Sequence, residues 1–186
     1  MAISFQDMHT EAQRRWQAMT AGEQPWIRVG TALCAKAAGC DPVLDALKDS
    51  LQRNGIAANV SQVGCLGLCF AEPLVDVQFP GGPRIFYGNV NPETVDEIVA
   101  SHVALGTPVP HLALGYLEDG NGSTASAGLD PGIPDLDHHP MRAQENRIAL
   151  RNAGNIDPAD IYQYIANGGY RALYNALTEL SPSDTL

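Results

Sequence analysis

Two close pairs of cysteines constrain this 186-residue chain more than any other feature. Cys34 stands near Cys40 and Cys65 near Cys69, in the pattern C-x5-C-x24-C-x3-C, and no cysteine is left over. If the four thiols act together, the fold has to carry two separate glycine-containing segments to one place. Four thiolates from two loops can hold one [2Fe–2S] cluster, two per iron. The spacing alone leaves rivals open. A structural zinc also takes four thiolates, although its usual knuckles are C-x2-C to C-x4-C. Two disulfides require an oxidising compartment, and no apolar leader segment is read ahead of the first strand. A thioredoxin-type redox pair would be C-x-x-C, which is absent. Four unrelated thiols would simply be buried as small hydrophobes.

The residues around the pairs read as alternating strands and helices. Ser4 caps an expected helix whose apolar residues Phe5, Met8, Ala12, Trp16 and Met19 recur at three- and four-residue steps, ending at Ala21-Gly22. Its stripe is expected to pack on the domain that follows. Trp26 to Val29 reads as a strand, and Gly30-Thr31 begins the first cysteine loop. Asp41-Pro42 starts a helix with Val43, Leu44, Leu47 and Leu51 inward, closed by Asn54-Gly55. Ile56 to Val63 forms a second strand that runs into the Cys65–Cys69 loop. Leu74 to Phe79 and Arg84 to Tyr87 flank a Pro-Gly-Gly-Pro turn, and Asn91-Pro92 opens a helix with Val95, Ile98 and Val99 inward. A strand, a crossover helix and a parallel strand make a right-handed unit whose two strands end on one side. Both cysteine loops then emerge as neighbours. The expected fold class is α/β, a central mixed sheet with flanking helices.

From Gly106 the texture changes. Residues 118–140 hold four glycines, three prolines and five carboxylates, and no lysine or arginine occurs between Arg84 and Arg142. This reads as a flexible acidic linker over 106–140. Beyond it, Asp157-Pro158 caps a helix with Ile161, Tyr164 and Ile165 as its stripe, and a second helix from about Tyr170 to Leu180 follows Gly168-Gly169. A hairpin of that size has too little core to stand alone.

A formal charge of −10 argues against nucleic acid or an anionic membrane as partner, since either needs a basic face. No apolar run approaches the ~20 residues that span a bilayer. The reading is an acidic, cytoplasmic protein.

The stretches GTALCAKAAGC (30–40), VGCLGLCFAEPLVDV (63–77) and YGNVNPETVDEIV (87–99) resemble the thioredoxin-like [2Fe–2S] ferredoxin domain. That domain occurs alone, as the small ferredoxin subunit of NADH dehydrogenases, and fused to the N-terminus of flavoprotein subunits. The stretch RIALRNAGNIDPADIYQYIANGGYRAL (147–173) resembles the opening of the NADH-binding flavoprotein subunit. Relatives include respiratory NADH dehydrogenase and NAD(P)-linked hydrogenases and formate dehydrogenases. Beside the N-terminal helix (1–24) and the linker (106–140) read from pattern and composition, the resemblance implies a ferredoxin domain (25–105) and a truncated flavoprotein start (141–186). It implies Cys34, Cys40, Cys65 and Cys69 as ligands of a [2Fe–2S] cluster, with Gly64 and Gly67 letting backbone amides approach the sulfurs. The five residues between Cys34 and Cys40 depart from the family's more usual gap of four, or a longer one. FMN and NAD(H) are expected only on a missing or partner segment, because the chain has no G-x-G-x-x-G motif. The expected partners are a flavoprotein subunit or domain and other iron–sulfur subunits of an oxidoreductase complex. The alternative is a non-catalytic assembly domain stabilised by cysteines or zinc.

The remaining candidates read as structural. His138-His139 are adjacent and point apart, His102 caps a helix end, and His9 and His111 carry no partner motif. Trp16 and Trp26 belong to the core. Leu66, Leu68 and Phe70 either dock a partner, or cover the cluster from water or fill the core. No nucleophile, base and acid stand together, so hydrolytic chemistry is unsupported.

Overall fold

A computed structural model describes residues 4–118 and 128–185. The first helix, α1 (Phe5–Thr20), begins at Ser4, whose hydroxyl accepts from the Asp7 amide while the Asp7 carboxylate returns to the Ser4 amide. This reciprocal box satisfies two of the donors a helix start leaves open. Strand β1 (Trp26–Gly30) follows, then two helices in tandem, α2 (Leu33–Ala38) and α3 (Cys40–Arg53). Strand β2 (Asn59–Val63), a single 3-10 turn (Cys69–Ala71), β3 (Val75–Gln78) and β4 (Arg84–Tyr87) come next. Helix α4 (Pro92–Ile98), capped by an Asn91–Thr94 box, continues as a π-helical turn to Val103.

The five-stranded sheet has the order β2-β1-β3-β4-β5, with β5 at Ala113–Leu117. Strands β1 and β2 are parallel, in register Trp26 to Asn59 through Gly30 to Val63, and the other pairs are antiparallel. The mixed α/β class and the strand–helix–strand unit are as expected, and the cysteine-bearing segments leave β1 and β2 at the same edge.

The two faces of the sheet differ in chemistry. One presents Ile27, Val29, Val75, Val77, Ile85 and Tyr87 to Val43, Leu44, Leu47 and Leu51 of α3 and to Val95, Ile98 and Val99. Each such fully buried aliphatic side chain contributes roughly 1.5–3 kcal/mol. The opposite face buries Arg28, Asp76 and Arg84. Asp76 accepts from Arg28 at 2.8 Å and from Arg84 at 2.7 Å, and the Arg28 guanidinium lies 3.8 Å over the Trp26 ring.

Four expectations change. The stretch after Gly106 supplies an edge strand, because Ala113 to Leu117 pairs with β4 and Leu136, in a second 3-10 turn, seals its outer side. Residues 119–127 of the expected linker lie outside the described residues. Helix α1 packs mainly on α5 (Ile161–Ala166), where Gln13 donates to the Ala166 carbonyl at 2.9 Å and Arg15 stacks on Tyr162, while Trp16 of its stripe meets Trp26 of β1 edge-on at 5.5 Å. Helix α6 (Arg171–Thr178) joins through Tyr174, stacked on Phe5 at 4.8 Å, and a short α7 (Pro182–Thr185) follows. The C-terminal hairpin thus finds in α1 the apolar surface it lacks alone. Asp160, three residues past Asp157, caps α5. His102 is no helix cap: it is buried, and its Nδ1 lies 2.8 Å from the Tyr87 hydroxyl.

Candidate metal centre

Local chemistry places each cysteine. The Leu-Cys-Ala-Lys-Ala-Ala run after β1 is built of good helix formers, so the first cysteine segment is helical and not an open loop. Cys34 sits in the first turn of α2, exposed. Gly39, at φ 92°, ends α2 in the left-handed region that glycine adopts without strain, and it also starts α3. Cys40 is the first residue of α3 and is fully buried. Cys65 is half-buried in the loop after β2, and Cys69 opens the 3-10 turn, exposed.

Three of the four thiols converge. The Cys65 and Cys69 sulfurs lie 3.6 Å apart, and Cys34 lies near enough to Cys69 to shift its ionisation. Two thiolates at tetrahedral angles on bonds of about 2.3 Å stand ~3.8 Å apart, so the C-x3-C pair has the reach to share one ion. The Gly67 amide donates to the Cys65 sulfur at 3.2 Å. The thiol of Cys69 is pushed up to about 12, by its hydrogen bonds to Cys34 first and Cys65 second. Crowded thiols resist ionisation because their thiolates repel, and a bound cation reverses that preference. This donor set fits a thiolate-ligated iron or zinc.

Cys40 stands apart. Its sulfur lies 4.0 Å from the Asp41 carboxylate, and its thiol is pushed up by burial first, with Asp41 and Glu72 adding to the shift. Among the described residues, no three or more His, Cys, Asp or Glu side chains form a preformed single-ion site. A two-iron centre spreads its ligands over two ions.

Glu72, Arg147 and Leu33 at the site were not singled out by sequence. Glu72 is buried; one carboxylate oxygen accepts from the Leu74 amide at 2.8 Å. Burial pushes its carboxyl up, and Gly30 makes room for it, since a β-carbon there would lie 3.0 Å from the carboxylate. Arg147 reaches the Cys65–Cys69 loop from the C-terminal stretch and donates to the Leu66 carbonyl. Leu66 and Leu68 are core residues, packed with Ala71, Leu74, Phe86 and Leu136. Phe70 stays 57% exposed with the His139 ring stacked on it, and Leu33, beside Cys34, is 86% exposed.

Comparison with known proteins gives the following. Over 108 residues, 57% of this chain and 86% of the relative, the chain is 31% identical to the NADP-reducing hydrogenase subunit HndB of Solidesulfovibrio fructosivorans. It is 32% identical to a 2Fe-2S ferredoxin of Clostridium pasteurianum over 74 residues, 39% of this chain and 70% of the ferredoxin. A 2Fe-2S ferredoxin of Aquifex aeolicus is 42% identical over 55 residues, 30% of this chain and 47% of that protein. A crystal structure of the thioredoxin-like [2Fe-2S] ferredoxin from Aquifex aeolicus superposes with a TM-score of 0.44 at 28% identity, covering 50% of this chain and 98% of that one. No family model matches the chain.

Proposed function

The chain belongs to the family of the hydrogenase subunit HndB and the clostridial 2Fe-2S ferredoxin, and on that premise we propose that it is an electron-transfer component of an NAD(P)H-linked oxidoreductase complex, holding a [2Fe–2S] cluster on Cys34, Cys40, Cys65 and Cys69. The observation that carries this reading is the meeting of the Cys34, Cys65 and Cys69 sulfurs at the edge where β1 and β2 end. When bound, such a cluster supplies one-electron exchange. The residues of the chain hold it, aim an amide at a ligand sulfur through Gly67, and leave the Cys34 and Cys69 side open to a partner.

Leu33 and Phe70 flank that open side and are the contacts we assign to the partner, a flavoprotein or a further iron–sulfur subunit. FMN and NAD(H) belong on that partner. Residues 141–186, as the start of a flavoprotein, would place the flavin half close by. Among the described residues no helix is long and apolar enough to cross a membrane, and a reducing cytoplasmic compartment suits four free thiols.

The cysteine series tests the ligand set. Cys65→Ser and Cys69→Ser are each expected to lose at least half of the bound iron after anaerobic reconstitution, measured per chain against the parent protein. Cys34→Ser follows them. Cys40 is the discriminating position, because its engagement requires the Gly39 junction between α2 and α3 to turn its sulfur outward. Iron loss equal to that of Cys65→Ser places Cys40 in the set, and full retention removes it.

A further inference from the structure

The Cys65–Cys69 loop is gripped from outside by a residue 81 positions further along the chain. One terminal nitrogen of Arg147 donates to the Leu66 carbonyl, and the same nitrogen would lie 3.2 Å from a β-carbon at Gly67. Its other terminal nitrogen donates to the Ala153 carbonyl at 3.3 Å, and its Nε faces the Glu145 carboxylate at 2.8 Å. Leu66 packs against Gly154 in the same stretch, where an added β-carbon would collide with the leucine at 2.3 Å. The Leu66 carbonyl and the Gly67 amide belong to one peptide group, and that amide is the donor to the Cys65 sulfur. A cationic donor on the carbonyl end of a peptide polarises it and strengthens the N–H end as a donor.

We infer that Arg147 is a positioning residue for Cys65: through the Leu66–Gly67 peptide it aims and strengthens the hydrogen bond to the ligand sulfur, and so sets the electron affinity of the metal centre held there. The inference rests on the cluster reading of the site. Amide hydrogen bonds and positive charge near ligand sulfurs favour the reduced, more negative state and raise the potential. Glu145, paired with Arg147, opposes part of that field, and the guanidinium holds its carboxyl below the usual range.

The test uses the full chain and the variants Arg147→Gln, Arg147→Lys and Glu145→Gln, reconstituted with iron and sulfide and titrated by EPR-monitored reduction. Arg147→Gln is expected to titrate at a more negative potential than the parent and Glu145→Gln at a more positive one, with Arg147→Lys recovering part of the shift. Amide exchange at Gly67 in the metal-free protein gives a second readout. It should quicken about fivefold in Arg147→Gln, the ratio for one lost hydrogen bond. Potentials of Arg147→Gln and Glu145→Gln that coincide with the parent's overturn the inference and leave the cluster reading standing. A parent protein that takes up no iron, with Gly67 exchange still quickened, overturns the cluster reading and the assigned effect on potential, while the clamp itself stands. If Arg147→Gln does not fold, the opposite shifts of Arg147→Lys and Glu145→Gln decide.

Discussion

Replacing Asp76 with alanine is expected to lower the free energy of unfolding by about 3–5 kcal/mol, the usual cost of leaving a buried charge without its partner. Asp76 serves two guanidinium groups at once: one oxygen accepts from Arg28 at 2.8 Å and Arg84 at 3.1 Å, the other from Arg84 at 2.7 Å. All three side chains are buried between the sheet and the C-terminal stretch, where Arg84 also donates to Asn155 and to the Gly154 carbonyl. Removing the carboxylate leaves two buried guanidinium groups without their shared counter-charge. Domains are commonly stable by only about 5–15 kcal/mol, so the variant should sit close to its unfolding threshold. Urea unfolding followed by circular dichroism measures the loss. Asp76→Asn, which keeps the shape and one acceptor, should fall between the two. A loss below about 1 kcal/mol would mean that this face is hydrated in solution and that the ion pairs add little to holding β1, β3 and β4 together.

The second large effect depends on pH. His102 is buried between Tyr87 and Phe79, and burial lowers its pKa from 6.5 to about 4. The Tyr87 hydroxyl accepts from the Val109 amide and lies 2.8 Å from His102 Nδ1, a distance at which it can donate its own proton to a neutral imidazole. Burial pushes the Tyr87 hydroxyl up to about 12, so it stays protonated throughout the relevant range. In the unfolded chain the imidazole charges below about pH 6.5, while in the folded chain it does not until about pH 4. The unfolded state therefore binds more protons in that window, and stability falls as pH is lowered through it. At about 1.4 kcal/mol per unit of pKa difference, His102 accounts for about 3 kcal/mol lost between pH 6.5 and pH 4. Other groups titrate in the same range, so the prediction concerns a difference. Subtracting the unfolding free energy of His102→Gln from that of the parent should give a value that declines by this amount as pH falls. A difference that does not vary with pH would contradict it.

The sheet and its main core were legible because their signals are local: alternation in β3, a Pro-Gly-Gly-Pro turn ahead of β4, a four-residue stripe along α3, and caps at Ser4 and Asn91. The junction of the two cysteine-bearing segments followed from the handedness of a strand–helix–strand unit. What escaped reading was set by distant contact. Ala113–Leu117 looks like part of a linker because its neighbours are glycine- and carboxylate-rich, and only pairing with Arg84–Tyr87 makes it a strand. The α1 stripe announces a partner without naming it, and α5 lies some 140 residues away in the chain. Arg28, Asp76 and Arg84 sit at positions whose polar character suggests solvent, yet they meet as a buried triad. At the site, cysteine spacing singled out the four thiols. It could not reveal that Cys34 lies on a helix, that Cys40 faces inward, or that Arg147 closes on the peptide beside Cys65.

The most direct test of the central claim is the metal content and spectrum of the anaerobically purified full chain. The account predicts about two irons and two sulfides per chain. It also predicts visible absorption from thiolate- and sulfide-bound ferric iron and, after dithionite reduction, an EPR signal of spin one-half. A colourless protein that carries one zinc, and that stays colourless after reconstitution with iron and sulfide, would contradict it.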